Sequence, residues 1–331
     1  MRPDCECDVG STKDHPFGCV KNLIITSSFG YHPVQLIPFL ESAQRACKEA
    51  EVTIITSPSD AVRYAILNER YPNLRFFQIP ERKRSRRPAE NGTPSQVRQR
   101  LKKAKLIALL LLKSKLGLRP IIRHDRPSVL GLSLLNVHVC LRRYFAARDL
   151  LAERDDGDMG SVLLADVRDV IFQSDPFAHV GSGRYTGDEI LKVRDCHSNA
   201  VWIKAAYGEE IFQQLADRVS VCSGVSIGTI GSMREYLDAF CRETIRVMQD
   251  KCLDTLPVWD QAFHIKMLLL DGFPFQTVPW NGFVATVAQA GGEHLRVNGD
   301  GLVEVDGRVP AILHQYDRHP PIQEHIHATY R

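Results

Sequence analysis

The sequence predicts an α/β protein organised around parallel strands, and three observations carry that prediction. The first is the opening, where strand-like apolar runs flank a segment of helical spacing: Asn22–Ser27 (NLIITS), Gln35–Ala50, then Glu51–Ser57 (EVTIITS). A strand–helix–strand unit of this kind joins parallel strands by a right-handed crossover. The second is Ser161–Phe177 (SVLLADVRDVIFQSDPF), whose short continuous apolar run is the mark of a strand buried on both faces. The third is size and composition. A chain of 331 residues, 44% hydrophobic and 24% charged, can bury a large core as one α/β domain or two smaller ones. Those values exclude disorder of the whole chain.

Residues 1–20 carry Asp4, Glu6, Asp8 and Asp14 and no apolar h-region, so they read as a disordered leader rather than a signal peptide. Cys5 and Cys7 within it are open to metal binding or oxidation. After the first strand comes Ser28-Phe29-Gly30-Tyr31, with no GxGxxG, which argues against a dinucleotide-binding fold. The helix over Gln35–Ala50 has Leu36, Phe39, Leu40, Ala43, Ala46 and Cys47 on one face. A further helix is expected over Ala61–Arg70 and a third strand over Leu74–Ile79 (LRFFQI).

Residues 81–128 interrupt this pattern. They hold 15 Lys/Arg against 3 Asp/Glu, while the whole chain has a net charge of only +3. A charge run at Arg82–Arg87 leads through Pro88 and an Asn91–Pro94 turn into a basic helix over Ser95–Leu118. Three uses fit such a helix: packing on the core with snorkelling lysines, contact with an anionic membrane surface or lipid-linked acceptor, and nucleic acid. The lack of interleaved aromatics disfavours nucleic acid. Nine scattered cysteines without CxxC or Cys/His ladders point to free thiols in a reducing compartment. The longest apolar run, Leu106–Leu112, is too short to span a bilayer. A cytoplasmic protein is expected, with peripheral contact at the inner membrane face as an option for the basic segment.

The next helix, Asn136–Arg154, offers Val139, Leu141, Phe145 and Leu150 to the core and carries Arg142 and Arg143. It leads into the central strand, which runs into Asp166-Val167-Arg168-Asp169. Ligands of open α/β sheets bind outside the carboxyl ends of the strands. Two carboxylates there either cap backbone amides of an acidic turn or hold a hard divalent cation that carries phosphate oxygens. A helix over Ile211–Val219 precedes Val221–Gly228 (VCSGVSIG), whose small residues permit a ligand to approach the backbone. Ser232–Gln249 is an amphipathic helix, and Trp259-Asp260-Gln261 opens another over Ala262–Leu270, where Asp260 suits an N-cap. Phe275–Pro279 reads as a strand. Ala311–Pro320 (AILHQYDRHP) ends a short apolar strand in His314, either a metal ligand or a satisfied buried histidine. Residues 321–331 read as a tail.

Taken together, Asp166-Val167-Arg168-Asp169 followed by an apolar run and Asp175-Pro176, Cys222-Ser223-Gly224-Val225, Asp260-Gln261 and His314 resemble the ordered motifs of GT-A fold, nucleotide-sugar-dependent glycosyltransferases. The likeness is to the DxD-type members, including glycogenin-like and plant cell-wall retaining transferases. It covers residues 21–320 and leaves the basic insertion unmatched. The departure is two residues, not one, between the carboxylates. The resemblance implies a single Rossmann-like domain with a mixed, mostly parallel central sheet flanked by helices. It implies metal ligation by Asp169, Asp166 and His314, with His319 as the fallback histidine. It assigns the donor to Tyr31 (base), Arg142 or Arg143 and Arg168 (diphosphate), and Ser223 and Gly224 (sugar). Asp260 and Gln261 take the catalytic positions, with Asp317 and Arg318 toward acceptor or diphosphate. The cofactors implied are Mn2+ or Mg2+ and a nucleotide-sugar, a UDP-sugar first. The reaction is sugar transfer to a glycan or lipid-linked acceptor, with retention favoured.

Rival readings are a nucleotidyltransferase, which shares much of the fold, and a non-catalytic protein that binds through its basic helix. A haloacid-dehalogenase-type phosphatase is a third, but its carboxylates stand two apart and open the domain, whereas this motif is mid-chain.

Overall fold

The computed structural model describes residues 21–80, 136–154, 159–251, 255–256 and 258–331. The leader and the basic segment 81–128 lie outside the described residues, as do the expectations placed on them. The opening is built as the sequence predicts. Strands β1 (Lys21–Ser27), β2 (Glu51–Thr56) and β3 (Leu74–Gln78) pair in parallel. Helix α1 (Ile37–Ala46) makes the first crossover; the first turn expected within it is a 3-10 turn, Pro33–Leu36. Helix α2 (Pro58–Tyr64) makes the second and starts three residues before the expected Ala61. Ser57 explains the earlier start: its hydroxyl accepts the amide of Asp60 at 3.1 Å, and Pro58 takes the first helical position. The expected last turns to Arg70 are a 3-10 turn, Ala65–Glu69.

The central strand is β5 (Met159–Ala165), reached through a two-residue strand β4 (Asn136–Val137) and helix α3 (Val139–Ala152). It pairs in parallel with β1 on one side. On the other side lies β8 (Val219–Thr229), antiparallel to β5 and also to β7 (Arg184–Lys192). With β10 (Gln276–Val278) the strand order is β10-β7-β8-β5-β1-β2-β3. The protein is therefore α/β, with a mixed, mostly parallel seven-stranded sheet flanked by helices.

Alternation along the strands sends successive side chains to two different layers. Leu23, Ile25 and Val162 join a core with α3, α6 (Ile230–Asp250) and α7 (Asp260–Leu269). Ile24, Ile54 and Leu163 join another with α1. Burial on both faces is why these strands read as unbroken apolar runs.

A smaller sheet positions the end of the chain. Strand β6 (Val170–Phe172) follows the Asp166–Asp169 turn and pairs antiparallel with β14 (Ile312–His314), which lies parallel to β11 (Val284–Thr286). Its register sets His314 opposite Val170, next to Asp169. The expected tail is instead helix α8 (Pro320–Thr329), whose Ile322 and Ile326 pack with Tyr330 into a third apolar cluster around Leu313 and Tyr316. Among the described residues, no helix is long and apolar enough to cross a membrane.

Candidate metal centre

Strands β1, β2 and β5 run in parallel, so their carboxyl ends open on one edge, and β5 delivers Asp166 there. The Asp166 amide donates to the Gly224 carbonyl at 2.9 Å, which ties the turn to β8. Val167 is buried in the core and Arg168 points outward, its guanidinium 3.3 Å from Asp317. That split folds the two intervening residues away and leaves Asp166 and Asp169 on one side. The Asp169 carbonyl accepts the amide of Gln315 at 2.7 Å, which fixes the end of β14 beside the turn. Gln315 takes a left-handed conformation, with φ of 62°.

Asp166, Asp169 and His314 each bring one ligand atom to a common point, and these atoms all lie within 4.8 Å of one another. His314 Nε2 stands 3.9 Å from an Asp169 oxygen. That nitrogen is buried and has no hydrogen-bond partner. A buried polar atom without a partner is costly, so it points to an occupant the protein itself does not supply. Gly224 completes the cradle. A Cβ added there would lie 2.5 Å from His314 Nε2 and 3.0 Å from Asp166 Oδ2, and nearer still to His314 Cε1. Two carboxylates and one imidazole fit a hard divalent ion such as Mn2+ or Mg2+. Burial pushes the Asp169 carboxyl above its ordinary range; the imidazole beside it works the other way, and Asp166 and Asp317 add to the rise.

Beside the three candidate ligands, the Arg143 guanidinium bridges Asp166 and Asp260, with the Asp260 contact at 3.1 Å. Burial pushes the Asp260 carboxyl up, and Arg143 draws it back down. Ser223 and Gly224 on β8 line a cavity of about 20 Å³ with Thr26, Ser27, Arg143 and Tyr144. The Tyr144 hydroxyl donates to the Ser223 carbonyl at 3.4 Å. A larger groove of about 430 Å³, between α6 and α7 around Arg242, Arg246, Met267 and Phe273, includes none of these residues.

The remaining sequence candidates fall elsewhere. Arg142, expected on the diphosphate, is buried and donates to the Pro80 carbonyl at 2.6 Å; its neighbour Arg143 is the arginine that reaches the carboxylates. Gln261, expected in a catalytic position, turns behind β8. Its amide accepts from Ser223 N at 2.7 Å and donates to the Val221 carbonyl at 2.6 Å, so it braces the strand. Tyr31 is half-buried against the α1 layer, and its carbonyl accepts the Tyr64 hydroxyl at 3.1 Å. His319 is the satisfied histidine of the pair, its Nε2 bound to the Val287 carbonyl at 2.7 Å. Arg168 and Arg318 both hold Asp317 at the rim. The sequence leaves Arg142 and Arg143 as alternatives on the helix leading into the central strand; Tyr144 shows no motif. No protein-family model matches the chain, and no curated protein matches it.

Proposed function

We propose that this chain is a metal-dependent glycosyltransferase of the GT-A type, moving a sugar from a nucleotide-diphosphate donor to a glycan or lipid-linked acceptor. The observation that carries the reading is the convergence of Asp166, Asp169 and His314 on one point, with an unpartnered imidazole nitrogen aimed into it. The mixed sheet and the position of the cluster at its carboxyl edge support the same reading. When bound, the ion would act as a Lewis acid for a departing nucleoside diphosphate.

The protein groups divide the other work. Asp166, Asp169 and His314 hold the ion. Arg143 is the cation beside them, and an incoming diphosphate would draw its guanidinium from the carboxylates it now bridges. Gly224 lacks the side chain that would collide with His314 and Asp166, and Ser223 and Gly224, which line the small cavity beside Arg143, are the positions this reading gives to the donor sugar. Asp260 is buried and tied to Arg143, which makes it an anchor for the guanidinium more than a base for an acceptor hydroxyl. That favours retention of configuration.

The test is a panel of nucleotide-sugars, UDP-sugars first, with and without Mn2+, read by thermal shift and by release of nucleoside diphosphate. One donor should stabilise the protein and turn over only with the metal present. A panel without any metal-dependent response would refute the proposal.

A further inference from the structure

Behind His314, away from the two aspartates, lies another buried carboxylate that none of the roles above uses. Glu189 on β7 is 5% exposed. Asn199 Nδ2 donates to one of its oxygens at 3.0 Å and Gln261 Nε2 reaches the other at 3.5 Å. Burial pushes the Glu189 carboxyl up, and the Ser220 hydroxyl and Cys222 thiol beside it draw it back down. All four of these partners are neutral, and among the described residues no lysine or arginine forms an ion pair with it. A buried carboxylate held only by neutral donors lacks the cation that would offset its desolvation.

The next group along this line is the His314 imidazole, reached through Cys222. Its Sγ lies 3.7 Å from His314 Nδ1, on the side of the ring opposite the unpartnered Nε2. The protons can be placed consistently along this line. The thiol hydrogen goes to the Glu189 carboxylate, and the sulfur accepts Nδ1–H from the imidazole. The tautomer with its proton on Nδ1 leaves the Nε2 lone pair free, aimed toward Asp166 and Asp169, which is the form a metal ligand requires.

We infer that Glu189 and Cys222 are positioning residues for His314, fixing its ring and tautomer and so setting the affinity of the centre for its ion. This rests on the metal-centre reading above. It also gives Cys222 a role distinct from its neighbours Ser223 and Gly224, since its side chain faces the imidazole. Ligating histidines generally donate their second nitrogen to a carboxylate or carbonyl; here a thiol stands between imidazole and carboxylate.

The experiment is a Mn2+ titration followed by electron paramagnetic resonance of the free ion, with thermal melts of each metal-free protein alongside. Wild type, Glu189→Gln, Cys222→Ala, Cys222→Ser and Asp169→Ala are compared. Glu189→Gln and Cys222→Ala should each weaken Mn2+ binding about 10-fold or more. Cys222→Ser, which keeps both a donor and an acceptor, should recover most of the affinity. Metal-free melting of Glu189→Gln should hold or rise, because a buried charge is removed; a merely structural role would lower it. Binding within about twofold of wild type in both Glu189→Gln and Cys222→Ala would overturn this inference while leaving the centre intact. A wild-type protein that takes up no Mn2+, or an Asp169→Ala variant that binds it equally well, would overturn the centre and the inference with it.

Discussion

Gly224→Ala tests the metal centre with a single methyl group. Gly224 is not in the left-handed region, so an alanine fits its backbone and any cost comes from the side chain. The new Cβ would lie 2.5 Å from His314 Nε2 and 3.0 Å from Asp166 Oδ2. An ordinary contact needs 3.4 Å or more, so the imidazole must retreat by roughly 1 Å. His314 is 1% exposed, with Cys222 behind it, and has little room to do so. Overpacking of this kind costs about 1–3 kcal/mol of stability. Metal geometry tolerates only about 0.2 Å, so the larger effect falls on the ion, with affinity reduced about 10- to 100-fold. Urea unfolding of the metal-free protein reads the first quantity and Mn2+ titration the second. Gly231→Ala is the control: nothing lies within 4 Å of its added Cβ, and it sits in α6, so it should stabilise by up to about 1 kcal/mol. The reasoning is refuted if Gly224→Ala binds Mn2+ within about twofold of wild type.

Other perturbations separate the surrounding groups. Removing the guanidinium in Arg143→Met leaves Asp166 and Asp260 facing each other; urea unfolding should show a loss of about 3 kcal/mol, and a loss near zero would mean the bridge is idle. Burial raises the Asp188 carboxyl to about 6, so the folded state holds its proton more tightly than the unfolded chain does. Stability from this group is therefore full below the ordinary aspartate range and lost as pH rises to about 6. Asp188→Asn should flatten the stability profile over that window and gain about 1–2 kcal/mol at neutral pH; a profile parallel to wild type would contradict it. Burial lowers His264 to about 3, with the opposite sign: its contribution is lost as pH falls from about 6.5 toward 3. Tyr236→Phe strips His264 Nδ1 of its 2.8 Å partner and should cost about 1–3 kcal/mol by thermal or urea unfolding.

The sequence announced the parts of the fold whose pattern is local. The apolar runs at 22–27, 51–57 and 161–165 are strands because both faces are buried, and that leaves a continuous signature. Pairing direction leaves none: that β8 runs antiparallel between β5 and β7 follows from where long connections return. Three-residue strands such as β6 and β14 are too short to show a period, yet they place His314 beside Asp169. Helix α8 looked like a tail because its burial depends on a cluster assembled from Leu313, Tyr316 and Val303. At the site, residue types at the strand ends were legible, while the choice between adjacent residues was not. Arg142 and Arg143 differ by one helical step, and only the packing of α3 decides which faces the carboxylates. His319 has the Val287 carbonyl within reach, whereas the buried His314 Nε2 faces the two aspartates with no partner.

The imidazole comes from position 314 and the carboxylates from 166 and 169, so synthesis delivers the three groups far apart in time. A nascent chain leaving the ribosome carries both aspartates long before the histidine exists. Until β14 docks on β6, Ile171 also lacks the cover that Leu313 and Tyr316 give it. An ion that needed all three would therefore stabilise finished molecules alone. Products cut short before β14 lack the imidazole and expose an apolar seam at Ile171, which would mark them for proteases.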